Sequence, residues 1–289
     1  MIKMKKISLL SLILALALVI SMAGCGKNEP VPQEPDPDPD VQVDISGLVF
    51  MNPLLIPEGS SLQDAMPNLI PKVLEKNEQN SDTVGWLQVP NTNINDVVVQ
   101  SPTDTNNVNA FYLRRDFDKR QNDNGTYFVD YRSGMGPTRD SLSRNTIIYG
   151  HSMSDNVNGS LMDQLKRFRS DIEFAEANPY LFFSLEEENL MWEIFAVFDT
   201  GIDFHYNNPN PTADEFAELV SEAERRSYYS YDVQVTAGDK IITLSTCTYN
   251  ITSVYPNDYR FVVMARLVAP DEVIRETAPL VVNADRKPA

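Results

Sequence analysis

Short runs of β-branched and aromatic residues, broken by turn residues, recur along the chain. Val84-Gly85-Trp86-Leu87-Gln88-Val89 stops at Pro90-Asn91, and Asp96 to Gln100, Gly125 to Asp130 and Thr146 to Tyr149 follow. Runs of this length bounded by Gly, Pro, Asn and Asp predict strands. Trp192 to Phe198, Tyr231 to Val235, Lys240 to Cys247 and Arg260 to Val268 have the same character, and the turn Ala237-Gly238-Asp239 predicts a hairpin between the second and third of these. A helical period shows most clearly over Thr212 to Arg226. Thr212 and Glu215 stand at capping-box spacing, and Phe216, Leu219, Val220 and Ala223 make an apolar stripe that reads as core packing. Ser160 to Phe168 predicts a shorter helix with Leu161, Leu165 and Phe168 on one face, and Ser60 to Asn80 one or two short helices interrupted by Pro67 and Pro71. Many strands with few helices predict a mainly β fold with added helices, a closed barrel or a sandwich. From Pro270 onward there is little pattern, which reads as a C-terminal tail.

The N-terminus has a different pattern. Lys3, Lys5 and Lys6 precede an apolar run from Ile7 to Ala23, and Ala23-Gly24-Cys25 closes it. This is the order of an export signal. The small pair before Cys25 resembles a bacterial lipobox, in which that cysteine is lipidated and becomes the new N-terminus. The other reading is an uncleaved membrane anchor, since the run is near the lower limit of about 17 residues for a span. Both put the rest of the chain outside the cytoplasmic membrane. Alternating Pro and Asp in Asn28 to Asp44 predict an extended, self-repelling tether. It lacks the Gly and Glu spacing of an EF-hand loop. The expected organisation is a leader over 1–24, a tether over 25–45, a catalytic domain over 46–270 and a tail over 271–289.

Charge narrows the function classes. The 289-residue chain carries a formal charge of −17. Such an acidic protein lacks the Lys and Arg surplus that drives phosphate binding, so nucleic acid is excluded as a partner. Charge does not attract it to anionic lipid either. No cluster of metal ligands stands out, and neither metal nor cofactor is expected.

Two cysteines are present, Cys25 and Cys247, and two histidines, His151 and His205. Cys247 ends the apolar run Ile241 to Cys247. A thiol is only a few per cent thiolate at neutral pH, and a neighbouring imidazole corrects this. His151 follows Gly150 at the end of a predicted strand, where a loop can present it. His205 lies in a polar loop before Pro209 and reads as a surface residue. Arg260 opens the strand that follows Cys247; if the two strands are neighbours, the guanidinium and the thiol meet at one end of the sheet. A cation there stabilises the oxyanion formed when a thiolate attacks an amide. The order His then Cys is opposite to that of papain-like enzymes, and the caspase Gln-Ala-Cys signature is absent.

Together these segments identify a family. Thr243-Leu244-Ser245-Thr246-Cys247 resembles the Thr-Leu-x-Thr-Cys signature of sortases. Asn145 to Met153 resembles the segment carrying their catalytic histidine, and Arg260-Phe261-Val262-Val263 the strand carrying their arginine. Gly85-Trp86-Leu87, Val98-Val99-Gln100 and Phe128 to Arg132 match in order and spacing, so the resemblance covers about residues 75 to 268. Three motifs in the right order are far more specific than one. The helix at 212–226 and the helical N-terminal extension are similar to class B members. The resemblance implies a closed β-barrel with N-terminal helices and a helix between the His and Cys strands. It implies a cysteine transpeptidase with Cys247 as nucleophile, His151 as proton partner and Arg260 as oxyanion stabiliser. Its partners would be surface proteins bearing a C-terminal sorting signal and an amine of peptidoglycan or a pilin, at the outer face of a Gram-positive-type membrane. It also implies that Ser245 and Thr246 line the substrate groove, with Tyr149 and Asn91 as further groove residues. Two positions depart from the class B pattern near the expected groove: Asp96-Val97 replaces a Tyr-Pro pair, and Thr248 stands where an acidic or polar residue often follows the cysteine. With Cys247 required as a thiol and Cys25 at the membrane, no disulfide is expected. The alternative function is a non-catalytic surface lipoprotein of the same shape.

Overall fold

The computed structural model describes residues 66–105, 109–249, 251, 258–275 and 277–289. Cys25, the leader and the tether lie outside the described residues. In chain order the elements are α1 (Ile70–Gln79), β1 (Thr83–Gln88), β2 (Asn95–Val99), β3 (Tyr127–Val129), β4 (Asn145–Tyr149), α2 (Arg167–Ser170), α3 (Ile172–Ala177), β5 (Tyr180–Ser184), β6 (Met191–Gly201), α4 (Ala213–Arg226), β7 (Tyr229–Ser230), β8 (Ile241–Cys247), β9 (Tyr259–Leu267) and β10 (Val281–Val282).

Eight strands close into a barrel in the order β1-β2-β3-β4-β8-β9-β6-β5. Neighbours are antiparallel except for β2 with β3 and β4 with β8. Alternation divides each strand between two buried faces. Leu87, Val98, Ile148, Trp192, Ile194, Leu244 and Val263 fill the interior. Two parts of the outer face are buried under helices. Val73 of α1 packs with Trp86, Val97 and Phe182. Phe216, Leu219, Val220 and Ala223 of α4 pack with Phe195, Phe198, Val262 and Met264. A bulge between Ile194 and Ala196 changes the phase of β6. It turns Phe195 and Ala196 both outward beneath α4, while Val197 returns to the interior.

The predicted caps hold. Thr212 and Glu215 form a complete capping box at α4. Pro71 does not interrupt α1 but sits in its first turn, where its missing N–H has no intrahelical acceptor to lose. The stretch 160–168 is a 3-10 turn over Leu161–Lys166 running into α2. Its buried face is Met162, Leu165 and Phe168, and Leu161 adopts φ +54 instead of joining it.

Three readings are corrected. Tyr231–Val235 is not a strand and the predicted hairpin is absent, because β4 and β9 already occupy both edges of β8. Tyr231 and Val235 pack against the α4 cluster, which also holds Val233. Tyr180–Ser184 is a strand, buried on both faces and so without the alternation that would have marked it. Residues after Leu267 do have structure: Ile274, Ala278 and Leu280 are buried, and β10 pairs with β7. Among the described residues no helix is long and apolar enough to cross a membrane.

Candidate active site

Because β4 and β8 are parallel and in register, Tyr149 pairs with Ser245, and the chain continues from both to His151 and Cys247 at one barrel edge. On the other side Cys247 pairs with Arg260 of β9. Directly opposed residues of an antiparallel pair share a face. Leu244 and Val263 point inward, so alternation turns Ser245, Cys247 and Arg260 to the outer face. Phe128, Tyr149 and Ser245 form a row across β3, β4 and β8 on that face. A groove of about 180 Å3 runs over this wall, lined by Asn109, Leu113, Phe128, Tyr149, Gly150, His151, Ser245, Thr246, Cys247 and Arg260. The structure thus brings Cys247, His151, Arg260, Ser245, Thr246 and Tyr149 together.

Several contacts fix this wall. Thr246 Oγ1 donates to the Gly150 carbonyl at 2.7 Å, tying β8 to the residue before His151. The His151 ring meets the Leu113 carbonyl through Nε2 at 2.7 Å. A carbonyl only accepts, so Nε2 carries a proton and Nδ1 is the nitrogen left for exchange. Gly125, at φ +62, makes this possible: a Cβ there would lie 2.8 Å from the Leu113 and Tyr112 carbonyl oxygens and 3.2 Å from His151 Cδ2. Cys247 is a free thiol, half-buried. Arg260 Nη1 donates to the Tyr259 carbonyl at 2.9 Å. Ser245 and the phenol of Tyr206 share a hydrogen bond of 2.8 Å. Burial pushes the Tyr206 phenol above its ordinary range, so it stays neutral.

The groove wall rests on one buried carboxylate. Asp130 Oδ2 accepts from Tyr149 Oη and Asn109 Nδ2, each at 3.0 Å. Arg132 donates its backbone N–H and Nε to Oδ1 at 2.9 Å and Nη2 to Oδ2 at 2.8 Å. Burial alone would raise the Asp130 carboxyl; the bonds from Arg132 outweigh it and hold it below the usual range.

Other predicted positions lie elsewhere. Asn91, at φ +57 in the β1–β2 turn, is bonded through Nδ2 to Asn178 and through its carbonyl to Arg167, and does not line the groove. Asp96 of β2 pairs with Leu87 of β1 and is likewise not a groove residue. Thr248, although adjacent to Cys247, is fully buried and bonds to Arg169 and Asp155. His205 is exposed beside α4, away from the groove. Asn109 and Leu113 were missed by sequence reasoning because Asn109 sits in a loop and Leu113 in a three-residue 3-10 turn, both too short to show a period. The Phe128 to Arg132 motif was visible, but its role as a wall was not.

Comparisons with known proteins bear on the family and the fold. No protein-family model matches the chain. Sortase B of Staphylococcus aureus (strain NCTC 8325 / PS 47) is 30% identical over 65% of this chain and 71% of its own length. The chain belongs to the sortase B family. Its members are cysteine transpeptidases. Sortase B of Listeria monocytogenes is 36% identical over 58% of this chain, and there the match spans 63% of the relative, somewhat under two thirds. The Staphylococcus aureus sortase B–substrate complex superposes with a TM-score of 0.58, at 28% identity, covering 68% of this chain and 85% of that one. The closed barrel with added helices is the family fold.

Proposed function

We propose that the chain is a sortase that cleaves a C-terminal sorting signal after threonine and joins the new C-terminus to an amine. The observation that carries this reading is the convergence of Cys247, His151 and Arg260 on one outer face of the barrel, around the groove. Cys247 attacks the threonine carbonyl as the thiolate, with His151 as its proton partner. The oxyanion of the tetrahedral intermediate is held by Arg260, whose strand position opposite Cys247 brings it to the reacting carbon. Collapse breaks the C–N bond, and the departing amine takes a proton from His151, leaving a thioacyl enzyme. An incoming amine then attacks the thioester, returns a proton to the imidazole and expels the Cys247 sulfur. Nδ1 is the exchanging nitrogen, because Nε2 is bonded to Leu113. Ser245, Thr246, Tyr149, Asn109 and Leu113 form the groove that holds the signal peptide.

The donor is a surface protein with a sorting signal, and the acceptor an amine of peptidoglycan or a pilin lysine. Family membership supports work at the cell wall. The leader-like residues 1–24 and Cys25 support attachment to the outer face of the cytoplasmic membrane by lipid. Replacing Cys25 by serine and following both incorporation of labelled palmitate and retention in the membrane fraction tests this: loss of label with retention unchanged would favour the uncleaved anchor.

The activity is tested with the full chain in detergent, a panel of fluorescence-quenched pentapeptide sorting signals, and an added amine. Cleavage of one motif by the wild type, with transfer to the amine and none by Cys247→Ala, is the expected result. A folded protein that turns over no motif would leave the surface binding lipoprotein as the function.

A further inference from the structure

Beneath the thiol lies a buried ion-pair cluster that the chemistry above does not use. Lys166, at the end of the 3-10 turn, is fully buried. Its ammonium bonds to Ser152 Oγ and to the Ser154 carbonyl, and stands 3.1 Å from Asp155 Oδ1 and 3.9 Å from Asp163. Ser152, Ser154 and Asp155 all belong to the loop that leaves His151. Asp163 gathers the same loop, accepting from the Met153 and Ser154 N–H groups and the Ser154 hydroxyl. Asp155 then reaches across to the other strand end. It accepts from Thr248 Oγ1 at 3.2 Å and from the Tyr249 N–H at 2.9 Å. These are the first two residues after Cys247. Arg169 closes the cluster, donating to Thr248 at 3.1 Å and to Asp199 at 2.9 and 3.0 Å, with Tyr228 also on Asp199 at 2.6 Å. Tyr249 Oη donates back to the Ser152 carbonyl at 2.9 Å.

The cluster is costly to build. Burial pulls the Lys166 ammonium below the ordinary lysine range, and Asp155 opposes that pull. A well-packed apolar pair would serve stability as well or better. What an apolar pair would not supply is the specific bridge from the His151 loop to the Thr248–Tyr249 backbone. Within the groove itself, Thr246 to Gly150 is a further bond between the β4 and β8 ends.

We propose that Asp155 and Lys166 are positioning residues: Lys166 holds Asp155 by the ion pair, Asp155 ties the loop after His151 to the Thr248–Tyr249 segment, and together they set the distance between imidazole and thiol. The chemical consequence rests on the sortase reading; the bridge itself does not. A displacement of about 1 Å between reacting groups lowers turnover by about 10²-fold.

The test compares wild type, Thr248→Val, the double variant Asp155→Asn/Lys166→Met, and Glu193→Gln, all full chains in a Cys25→Ser background. The double variant removes both charges of the Asp155–Lys166 pair, and Asp163 keeps its bonds from the Met153 and Ser154 N–H groups and the Ser154 hydroxyl. Thr248→Val is isosteric and cuts the hydroxyl's bonds to Asp155 and Arg169, while the Tyr249 N–H keeps its bond to Asp155. Glu193→Gln breaks a different buried ion pair, with Arg266 and Arg275, and controls for lost stability alone. Each protein is assayed for melting temperature, for kcat and KM on the peptide that the wild type cleaves, and for the rate of Cys247 alkylation by iodoacetamide across pH 5 to 9. The expected result is a fall of about 10²-fold in kcat for the double variant, with KM within about twofold and an altered pH profile of alkylation. Thr248→Val should move in the same direction, and Glu193→Gln should lose melting temperature alone. Turnover and alkylation in the double variant that match wild type, or that fall only as far as in Glu193→Gln, overturn the proposal. If wild type cleaves no peptide, the sortase reading fails, while the alkylation profiles still decide whether the bridge positions the pair.

Discussion

Replacing Asp130 by asparagine separates the groove wall from the reacting groups. The amide keeps the shape but holds one acceptor oxygen, and it turns an N–H₂ toward donors that now point at a carboxylate oxygen. Five hydrogen bonds end on this carboxylate, three of them from Arg132. Breaking a fully buried pair by removing one partner costs about 3–5 kcal/mol. The Arg132 side chain is 36% exposed and recovers part of its hydration, so about 2–3 kcal/mol is expected here. For a domain of this size that lowers Tm by about 4–12 °C. Asn109 and Tyr149 lose their common anchor, and a KM rise of about fivefold corresponds to roughly 1 kcal/mol of binding. Turnover number should change little, because Thr246–Gly150 and the Cys247–Arg260 register do not depend on Asp130. The pH dependence has a definite sign. The folded carboxyl titrates below the unfolded value of about 3.9, so its stabilisation is complete above about pH 5 and is lost as pH falls through the folded value. The Tm gap between wild type and variant should therefore be full at pH 7 and close below about pH 4. Thermal melts from pH 7 to pH 2.5, with peptide kinetics at pH 7, measure both. Equal melting at pH 7, or a gap that widens in acid, would refute the reasoning.

Three further outcomes follow from single contacts. Arg260→Met removes the cation opposite Cys247 and should lower kcat by about 10²–10³-fold with Tm within a few degrees; stopped-assay peptide cleavage reads it, and a loss under tenfold would exclude Arg260 as the main oxyanion donor. Gly125→Ala puts a Cβ against the Leu113 carbonyl that holds His151, in a backbone conformation that strains alanine, and should lower kcat more than a destabilising change remote from the groove; full activity would show that the Leu113 bond does not orient the imidazole. Thr212→Ala removes the α4 cap and should cost about 1 kcal/mol in urea unfolding while leaving turnover unchanged.

What could be read in the sequence depended on how local its cause was. The capping box at Thr212 and Glu215 and the stripe from Phe216 to Ala223 are set by neighbours a turn away, and α4 follows them closely. The strand ends bearing His151, Cys247 and Arg260 were visible because each motif carries its own punctuation, Gly150 before the histidine and a full β run before the cysteine. Tyr231–Val235 misled because its strand propensity is real, while the edge it would have paired with is taken by β4, far away in sequence. Tyr180–Ser184 was invisible for the opposite reason: a strand buried on both faces loses its period. Asn91 is a groove residue by the resemblance, yet its side chain is spent on Asn178. Asp130 stood in a visible motif, but its bonds to Asn109 and Tyr149 are long-range and gave no signal; Asp155 had none either, since its partners Thr248, Tyr249 and Lys166 meet it only in the folded barrel.

Closure of the barrel also decides how a peptide substrate can be recognised. Each of the eight strands has both edges paired, so an extended peptide finds no open barrel edge to join as a ninth strand through backbone hydrogen bonds. The interior is filled by residues such as Trp192, Phe183 and Leu244, so it cannot enter there either. Among the described residues, the groove lies on the outer wall over β3, β4, β8 and the Arg260 end of β9, where Phe128, Tyr149 and Ser245 stand in one row, and the proposed binding is placed there. Affinity then comes from side chains instead of a strand ladder. Motif preference should therefore follow substitutions at Asn109, Leu113, Phe128 and Tyr149, while the Cys247, His151 and Arg260 register, built into strand pairing, stays the same for any signal the wall admits.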